Sequence, residues 1–489
     1  MEGRNTLKII VDTTPLYEEL PLCVDLDDTL VKTDTLLECV LALLKNNFLY
    51  GLVLPFWLLK GKAHFKQQVA RRVSLNVALL PYHAPLLSYL DRQHKRGRRI
   101  ILTTAAEASI AKRIADHLGL FSNVLATDGN HNLAGTAKLL KIQDHVGSSP
   151  FVYAGNAKVD LPIWRFAQSA IVVNAPPRLL KQVRTITNID HVFNESKHPL
   201  RDYIKAIRAY QWVKNGLIFV PLLTGHRLTD VNQLFAALVA FAAFSFCSSS
   251  AYVLNDLLDL DADRCHSSKK TRPFAAGDLA LKVGLFTIPA FLLAGFALSL
   301  QLPYLFIITL GVYFFLTVAY SFYLKRLVIV DVILLALLYT LRIIAGGVAT
   351  GIVISNWLLA FSMFLFLSLA LLKRYTELHH VAGNVKQLDN SRGYITADIE
   401  QLASMGSASG YLTALVLGLY INSEDVKALY THPQLLWLIC PLILYWVSRA
   451  WLIARRGEMH DDPVIFAIRD KASYAVAIAS AIVIIFAMG

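Results

Sequence analysis

Two groups of carboxylates stand out for the chemistry their spacing allows. The first follows a long apolar run, in Tyr252-Val-Leu-Asn255-Asp256-Leu-Leu-Asp259-Leu-Asp261-Ala-Asp263, with Lys269, Lys270 and Arg272 shortly after. On a continuing helix Asp256, Asp259 and Asp263, three and four residues apart, fall on one stripe. Three carboxylates on one face repel one another unless a cation sits between them. Hard oxygen ligands favour Mg²⁺, which in turn holds diphosphate oxygens. Asn255 adds a neutral oxygen ligand, and Lys270 and Arg272 offer donors to phosphate.

The second group is Leu22-Cys-Val-Asp25-Leu-Asp27-Asp28-Thr29, an apolar strand running into an acidic turn. Asp25 can attack phosphorus and bind Mg²⁺, and Asp27, two residues on, can protonate a leaving oxygen. Three later stretches add to it: Arg99-Ile-Ile-Leu-Thr103-Thr104, a strand ending in hydroxyls; Gly135-Thr-Ala-Lys138, which offers a cation; and Phe151-Val-Tyr-Ala-Gly155-Asn156-Ala-Lys-Val-Asp160, a strand ending in metal-ligand types.

The elements that position these groups differ between the two halves of the 489-residue chain. Residues 1–20 form a polar tail without a secretory leader, and 21–185 mix charge and apolar groups as an α/β domain does. Residues 186–203 are a polar linker. From about Tyr203 the chain is a series of apolar runs, at 204–224, 232–254, 281–300, 302–323, 328–350, 354–372, 404–421, 433–454 and 471–488. Each is near the roughly 20 residues a helix needs to cross a bilayer, so nine spans are expected over 204–489. With the N-terminal domain in the cytosol, the inside loops hold thirteen Lys and Arg and the outside loops two. That positive-inside bias puts the long loops and their chemistry on the cytosolic face and the C-terminus outside. It also accounts for the net charge of +12 without nucleic acid. The five cysteines have no ligand spacing and read as reduced packing thiols.

The aspartate run at the cytosolic end of a second span resembles the first aspartate-rich motif of UbiA-type prenyltransferases, over about residues 201–489. The resemblance implies an all-α membrane domain of nine helices. Usual members carry a second aspartate cluster, but Tyr320-Ser-Phe-Tyr323-Leu-Lys325-Arg326-Leu-Val-Ile-Val-Asp331 has one acid there. Together with Arg208-x-x-Gln211-Trp212-x-Lys214-Asn215, Leu341-Arg342-x-x-Ala345-Gly346 and Lys373-Arg374-x-x-Glu377, this looks like the branch that makes polyprenyl-phosphoryl-5-phosphoribose. The branch implies 5-phosphoribosyl diphosphate as donor, polyprenyl phosphate as acceptor, Mg²⁺ as cofactor, and a cell-envelope polysaccharide precursor as product. Such a reaction handles three phosphate groups, which need more donors and fewer competing carboxylates. Gln211, Lys214, Asn215, Lys270, Arg272, Tyr320, Lys325, Arg342, Lys373 and Arg374 are the candidates to bind them, with Asp256 and Asp259 catalytic through the metal. Arg342 weighs most, because an ionisable group deep in a span is functional by default.

In their order, the N-terminal motifs resemble those of haloacid-dehalogenase-type phosphatases, over about residues 21–185. That implies a doubly wound sheet with its site at the strand C-termini. It also implies Asp25 as nucleophile, Asp27 as acid and base, Thr104 and Lys138 on phosphate, and Asp25, Asp27, Asn156 and Asp160 around Mg²⁺. Asn156 stands where the family commonly has aspartate. Residues 34–90 leave room for a helical cap, and apolar Leu36–Leu59 reads as a cap touching the membrane surface rather than a span.

The expectation is therefore a bifunctional enzyme of a bacterial inner membrane, in contact with membrane lipids and open to forming a homo-oligomer. It would add phosphoribose to a lipid phosphate and remove the 5-phosphate. Two alternatives stay open: an aromatic-acceptor prenyltransferase with a regulatory or inert second domain, and a membrane scaffold with an inert phosphatase-like module.

Overall fold

The computed structural model describes residues 20–128, 132–195, 198–266, 268–382, 393–459 and 462–488. The expected tail therefore lies, apart from Leu20, outside the described residues. Two compact units emerge: Met1–Ala206 with Val253–Phe286, and Ile207–Tyr252 with Thr287–Gly489.

The first unit is built on six parallel strands, β1 Leu22–Val24, β2 Ile100–Glu107, β3 Asn123–Thr127, β4 Val152–Gly155, β5 Ser169–Val173 and β6 Asn188–Phe193. Their order is β3-β2-β1-β4-β5-β6, so the chain reverses direction across the sheet between β1 and β4. Ligands of open α/β sheets bind at that switch, beyond the strand C-termini. Strands buried on both faces must be apolar throughout, and alternation still assigns each side chain a face. Leu22, Val24, Leu102 and Val152 fill one layer, while Cys23, Ile101, Tyr153 and Val172 fill the other. β6 occupies the stretch expected as linker. Its apolar positions extend the sheet beyond β5 and move the domain boundary past residue 193.

Between β1 and β2 come four helices, α1 Thr35–Asn46, α2 Tyr50–Leu59, α3 Lys62–Ala70 and α4 Ala84–Lys95, over the stretch where a helical cap was expected. Asp34 caps α1 by accepting from the backbone N–H groups of Leu36 and Leu37. No residue of α2 is buried: Leu52, Phe56, Leu58 and Leu59, and Phe48 and Leu49 just before it, are all more than half exposed.

The second unit is helical. Across the whole chain eight described helices are long and apolar enough to cross a membrane: Val231–Leu258, Leu281–Ser299, Tyr304–Phe322, Val330–Thr350, Asn356–His379, Thr396–Ile421, Pro433–Arg455 and Lys471–Met488. These match eight of the nine expected spans. The first expected span, 204–224, is instead broken into Pro199–Ala206, a 3-10 run Ala209–Phe219 and the short helix Val220–Thr224. Arg208 enters the left-handed region at φ +52°, which interrupts the helix, and Pro221 begins a new turn. Gln211 and Asn215 point inward from the 3-10 run and are buried.

Candidate functional site

At the end of β1, Asp25 accepts hydrogen bonds from Leu26 N–H at 2.9 Å and from Lys138 Nζ at 2.8 Å. Lys138, buried on the helix Thr136–Val146 (α5), also donates to Tyr153 Oη at 3.1 Å. Tyr153 donates in turn to Asp160 at 2.9 Å, and Lys138 lies 3.9 Å from that carboxylate. Burial works against the Lys138 charge, yet Asp25 and Asp160 outweigh it and hold its pKa above the ordinary value. Burial, reinforced by Asp25, pushes Asp160 up to about 6. The end of β1, α5 and the turn after β4 thus bring three of the expected residues, Asp25, Lys138 and Asp160, into one buried group.

Asp27 faces a different space. Its carboxylate accepts from Thr35 N–H at 2.8 Å and Thr35 Oγ1 at 2.7 Å, and lines a cavity of about 180 Å³ with Asp34, Lys66 and Glu107. Burial, then the charges of Asp34 and Asp25, push its pKa up to about 7, so the group exchanges its proton near neutrality. Thr104 is fully buried, with its hydroxyl accepting from Ala106 N–H at 2.9 Å. Asn156 gives its backbone N–H to Asp160 at 3.2 Å and lines a second cavity, about 350 Å³, with Asp28, Lys32, Asn174 and Glu195. Lys66 of α3 was not anticipated: its ammonium donates at 2.6 Å to both Ala105 O and Asn132 Oδ1. Only its fold position, on a helix returning to the sheet, brings it to Asp27's cavity.

The aspartate run departs from the expected stripe. The helix ends at Leu258, and Asp259 (φ −102°, ψ 21°) starts a separate short helix, Leu260–Cys265. Asp256 and Asp263 converge on one nitrogen of Arg272, at 3.0 and 2.6 Å, while Asp259 meets Lys45 of α1 at 3.1 Å. Among the described residues no three His, Cys, Asp or Glu side chains gather as a metal cluster, in this run or around Asp25. Two carboxylates meeting on one cation, with Asn255 next to them in sequence, remain a hard, oxygen-only set. Mg²⁺ commonly takes one or two carboxylates and leaves its other positions to water and substrate phosphate, so these residues fit it. The same holds for Asp25 and Asp160, which flank Lys138. Lys270 is exposed on the turn Lys269–Thr271.

In the second unit, Arg342 lies within the helix Val330–Thr350 and is 4% exposed. It does not snorkel. Its Nε donates to Asn215 Oδ1 at 2.9 Å and its Nη2 to Tyr313 Oη at 2.9 Å, and Nη1 donates to Leu338 O. The guanidinium packs over the rings of Tyr313 and Tyr339, 4.9 and 5.4 Å from their centroids. No carboxylate among the described residues lies within 4 Å of it, an uncommon state for a buried charge. Asn215 is anchored by Ser245 at 3.1 Å. The 3-10 run that carries it approaches the helix where Gly346 has no side chain; a Cβ there would stand 2.1 Å from Ile218 O.

Other expected phosphate ligands are already paired. Lys214 binds Asp462 at 2.7 Å, and Lys373 lies 4.0 Å from the same carboxylate. Arg374, 1% exposed, is held by Asp331 at 2.5 Å, by Glu377 and by Tyr320 Oη at 2.9 Å. Tyr394 donates to the other Asp331 oxygen. Two carboxylates compensate this guanidinium, so Arg374 and Tyr320 read as internal framework rather than phosphate ligands. Lys325 sits on the turn Leu324–Arg326. Asp462 is a partner that local patterning could not supply, since it lies far along the chain from both lysines.

Comparison with known proteins supports the reading of the helical part. The y4nM protein of Sinorhizobium fredii is 36% identical over 99% of this chain and 94% of its own length. The nodulation protein NoeC of Azorhizobium caulinodans is 34% identical over 60% of this chain and 95% of its own. The decaprenyl-phosphate phosphoribosyltransferase of Corynebacterium glutamicum is 38% identical over 46% of this chain and 69% of its own. The profile of the UbiA prenyltransferase family matches residues 218–472, more than half of the sequence, and the chain is an integral membrane enzyme that belongs to that family.

Proposed function

We propose that the chain transfers 5-phosphoribose from 5-phosphoribosyl diphosphate to a polyprenyl phosphate, and that its N-terminal domain removes the 5-phosphate from the product. The carrying observation is Arg342: a buried guanidinium, framed by two tyrosines and Asn215, with no carboxylate within 4 Å among the described residues. A desolvated cation without a counter-ion is matched by an anionic ligand, and a planar fork suits phosphate. The similarity to a decaprenyl-phosphate phosphoribosyltransferase supports the same donor and acceptor.

Asn255, Asp256, Asp259 and Asp263 would hold Mg²⁺, which supplies charge neutralisation of the leaving diphosphate. Arg272, which pairs with both Asp256 and Asp263, is placed to donate to phosphate oxygens of the leaving diphosphate. The bond from the sugar C1 to diphosphate breaks, and an oxygen of the lipid phosphate forms the new one. That oxygen is already anionic, so the step requires no strong general base. Positioning and charge stabilisation carry it.

In the N-terminal domain Asp25 attacks the 5-phosphate, and Asp27, partly protonated at neutral pH, turns from its Thr35 contacts to donate to the departing O5. Lys138 steadies Asp25, and water then hydrolyses the aspartyl phosphate, releasing inorganic phosphate and restoring the carboxylate. Asp25 and Asp160 would hold Mg²⁺ there, with Asn156 a weaker third ligand. The exposed apolar helix α2 suits a cap that rests on lipid, as a phosphatase for a lipid headgroup requires.

A second reading keeps the transfer and assigns its product to nodulation, favoured by the match to nearly all of NoeC. Arg342 tests both. Arg342→Ala should abolish transfer from phosphoribosyl diphosphate, and Arg342→Lys should recover little of it. Full activity of the Lys variant would make Arg342 a plain charge and remove the basis of the proposal.

A further inference from the structure

The aspartate segment Val253–Phe286 packs in the same compact unit as the N-terminal domain, and α1 is fastened to it at several points. Arg264, directly after Asp263, makes a two-point pair with Glu38 of α1, at 2.5 and 3.1 Å. Both side chains are almost fully buried, and Thr33 Oγ1 donates to the same Glu38 carboxylate at 2.8 Å. Arg264 Nε also donates to Ala275 O, so one guanidinium ties α1 to both ends of the segment. Lys282 pairs with Asp34, the α1 cap, at 3.3 Å. At Gly277 (φ +74°) the chain approaches so closely that a Cβ would lie 2.6 Å from Lys32 Cβ. This fixed helix ends with Lys45, whose ammonium lies 3.1 Å from Asp259.

We propose that Lys45 is a diphosphate-binding residue of the transferase, contributed by the N-terminal domain. The proposal rests on the diphosphate reading of the aspartate segment. Arg272 already serves Asp256 and Asp263, and Lys45 brings a further cation to the third carboxylate of the run. An ammonium has three donors, and one on Asp259 leaves others for the oxygens of an anion held by that carboxylate's metal. Lys45 keeps a third of its side chain exposed, so its head is free to follow the ligand while the Glu38–Arg264 pair holds its helix still. A half-buried pair whose cation reaches solvent contributes modestly to stability, and substitutions at Lys45 leave a folded protein.

The test is calorimetric titration of the full-length protein in lipid nanodiscs with inorganic pyrophosphate and Mg²⁺, which requires no turnover. Loss of the heat in Asp256→Ala assigns the signal to this segment. Lys45→Ala should weaken pyrophosphate binding about tenfold, as the loss of one charge-assisted hydrogen bond does, and Lys45→Glu more. Lys45→Arg should stay close to wild type. KM for phosphoribosyl diphosphate should rise in parallel with little change in kcat. Pyrophosphate binding by Lys45→Glu within twofold of wild type overturns the role of Lys45 alone. A wild-type protein that binds no pyrophosphate, or binds it equally well as Asp256→Ala, overturns the diphosphate reading and this proposal with it.

Discussion

Gly346 offers a perturbation whose size can be worked from the structure. A Cβ at this position would stand 2.1 Å from Ile218 O and 2.8 Å from Ile218 C, where real Cβ atoms keep at least 3.0 Å. Gly346→Ala therefore drives the 3-10 run back by about 1 Å, and Asn215, three residues before Ile218, moves with it. Asn215 is the group that meets Arg342 Nε at 2.9 Å and Ser245 at 3.1 Å. A 1 Å misplacement of a positioning group lowers turnover about 100-fold, equal to about 2.7 kcal/mol of barrier. Overpacking of this kind takes about 1–3 kcal/mol from stability, so the variant should still fold. The assay is transfer from labelled phosphoribosyl diphosphate in nanodiscs, with thermal unfolding measured beside it. Phosphomonoester hydrolysis by the same sample serves as an internal control. Transfer within about threefold of wild type, in a folded variant, would refute the idea that this close approach sets the Arg342 site.

Three further outcomes follow from the same geometry. Asp256→Ala should lower transfer by well over tenfold, more than about 1.4 kcal/mol of barrier, with insertion intact; near-normal turnover would remove Asp256 from the metal set. Asp331→Asn breaks a buried pair with Arg374 and should lower stability by about 3–5 kcal/mol, read as a large drop in Tm. An unchanged Tm would show that Tyr320 and Glu377 suffice to hold Arg374. Asp25→Asn should leave transfer intact and make the lipid product accumulate with its 5-phosphate, resolved by charge on anion exchange. Identical products from wild type and variant would leave the N-terminal domain without the proposed role.

Much of this architecture was legible in the sequence because single physical constraints dominate it. Eight of the nine apolar runs are helices of spanning length, as a bilayer demands of a chain that must satisfy its own backbone. The parallel sheet, implied by the resemblance of the motifs around Asp25, Thr104, Lys138 and Asp160, is present, and its direction switch lies between β1 and β4. The burial of Arg342 was legible for the same reason, since a charge far from either helix end has nowhere to snorkel. The failures share a cause. Run 204–224 has the hydropathy of a span, yet Gln211 and Asn215 are turned inward as a backbone break at Arg208 allows, which composition does not register. Helical spacing aligned three aspartates only by assuming a helix that in fact ends at Leu258. Lys45, Lys66 and Asp462 reach their partners through tertiary folding, and no local pattern marks them. β6 was mistaken for linker because an edge strand with polar flanks looks like one.

The central claim is the identity of the transferred group. Purified wild-type protein should be supplied with Mg²⁺, a polyprenyl phosphate and 5-phosphoribosyl diphosphate labelled in the ribose, and the lipid fraction examined by mass spectrometry. The account predicts a labelled lipid carrying one pentose through a phosphodiester, and release of pyrophosphate in equal amount. A lipid fraction without label, in protein that instead joins a prenyl diphosphate to an aromatic acceptor, would contradict it.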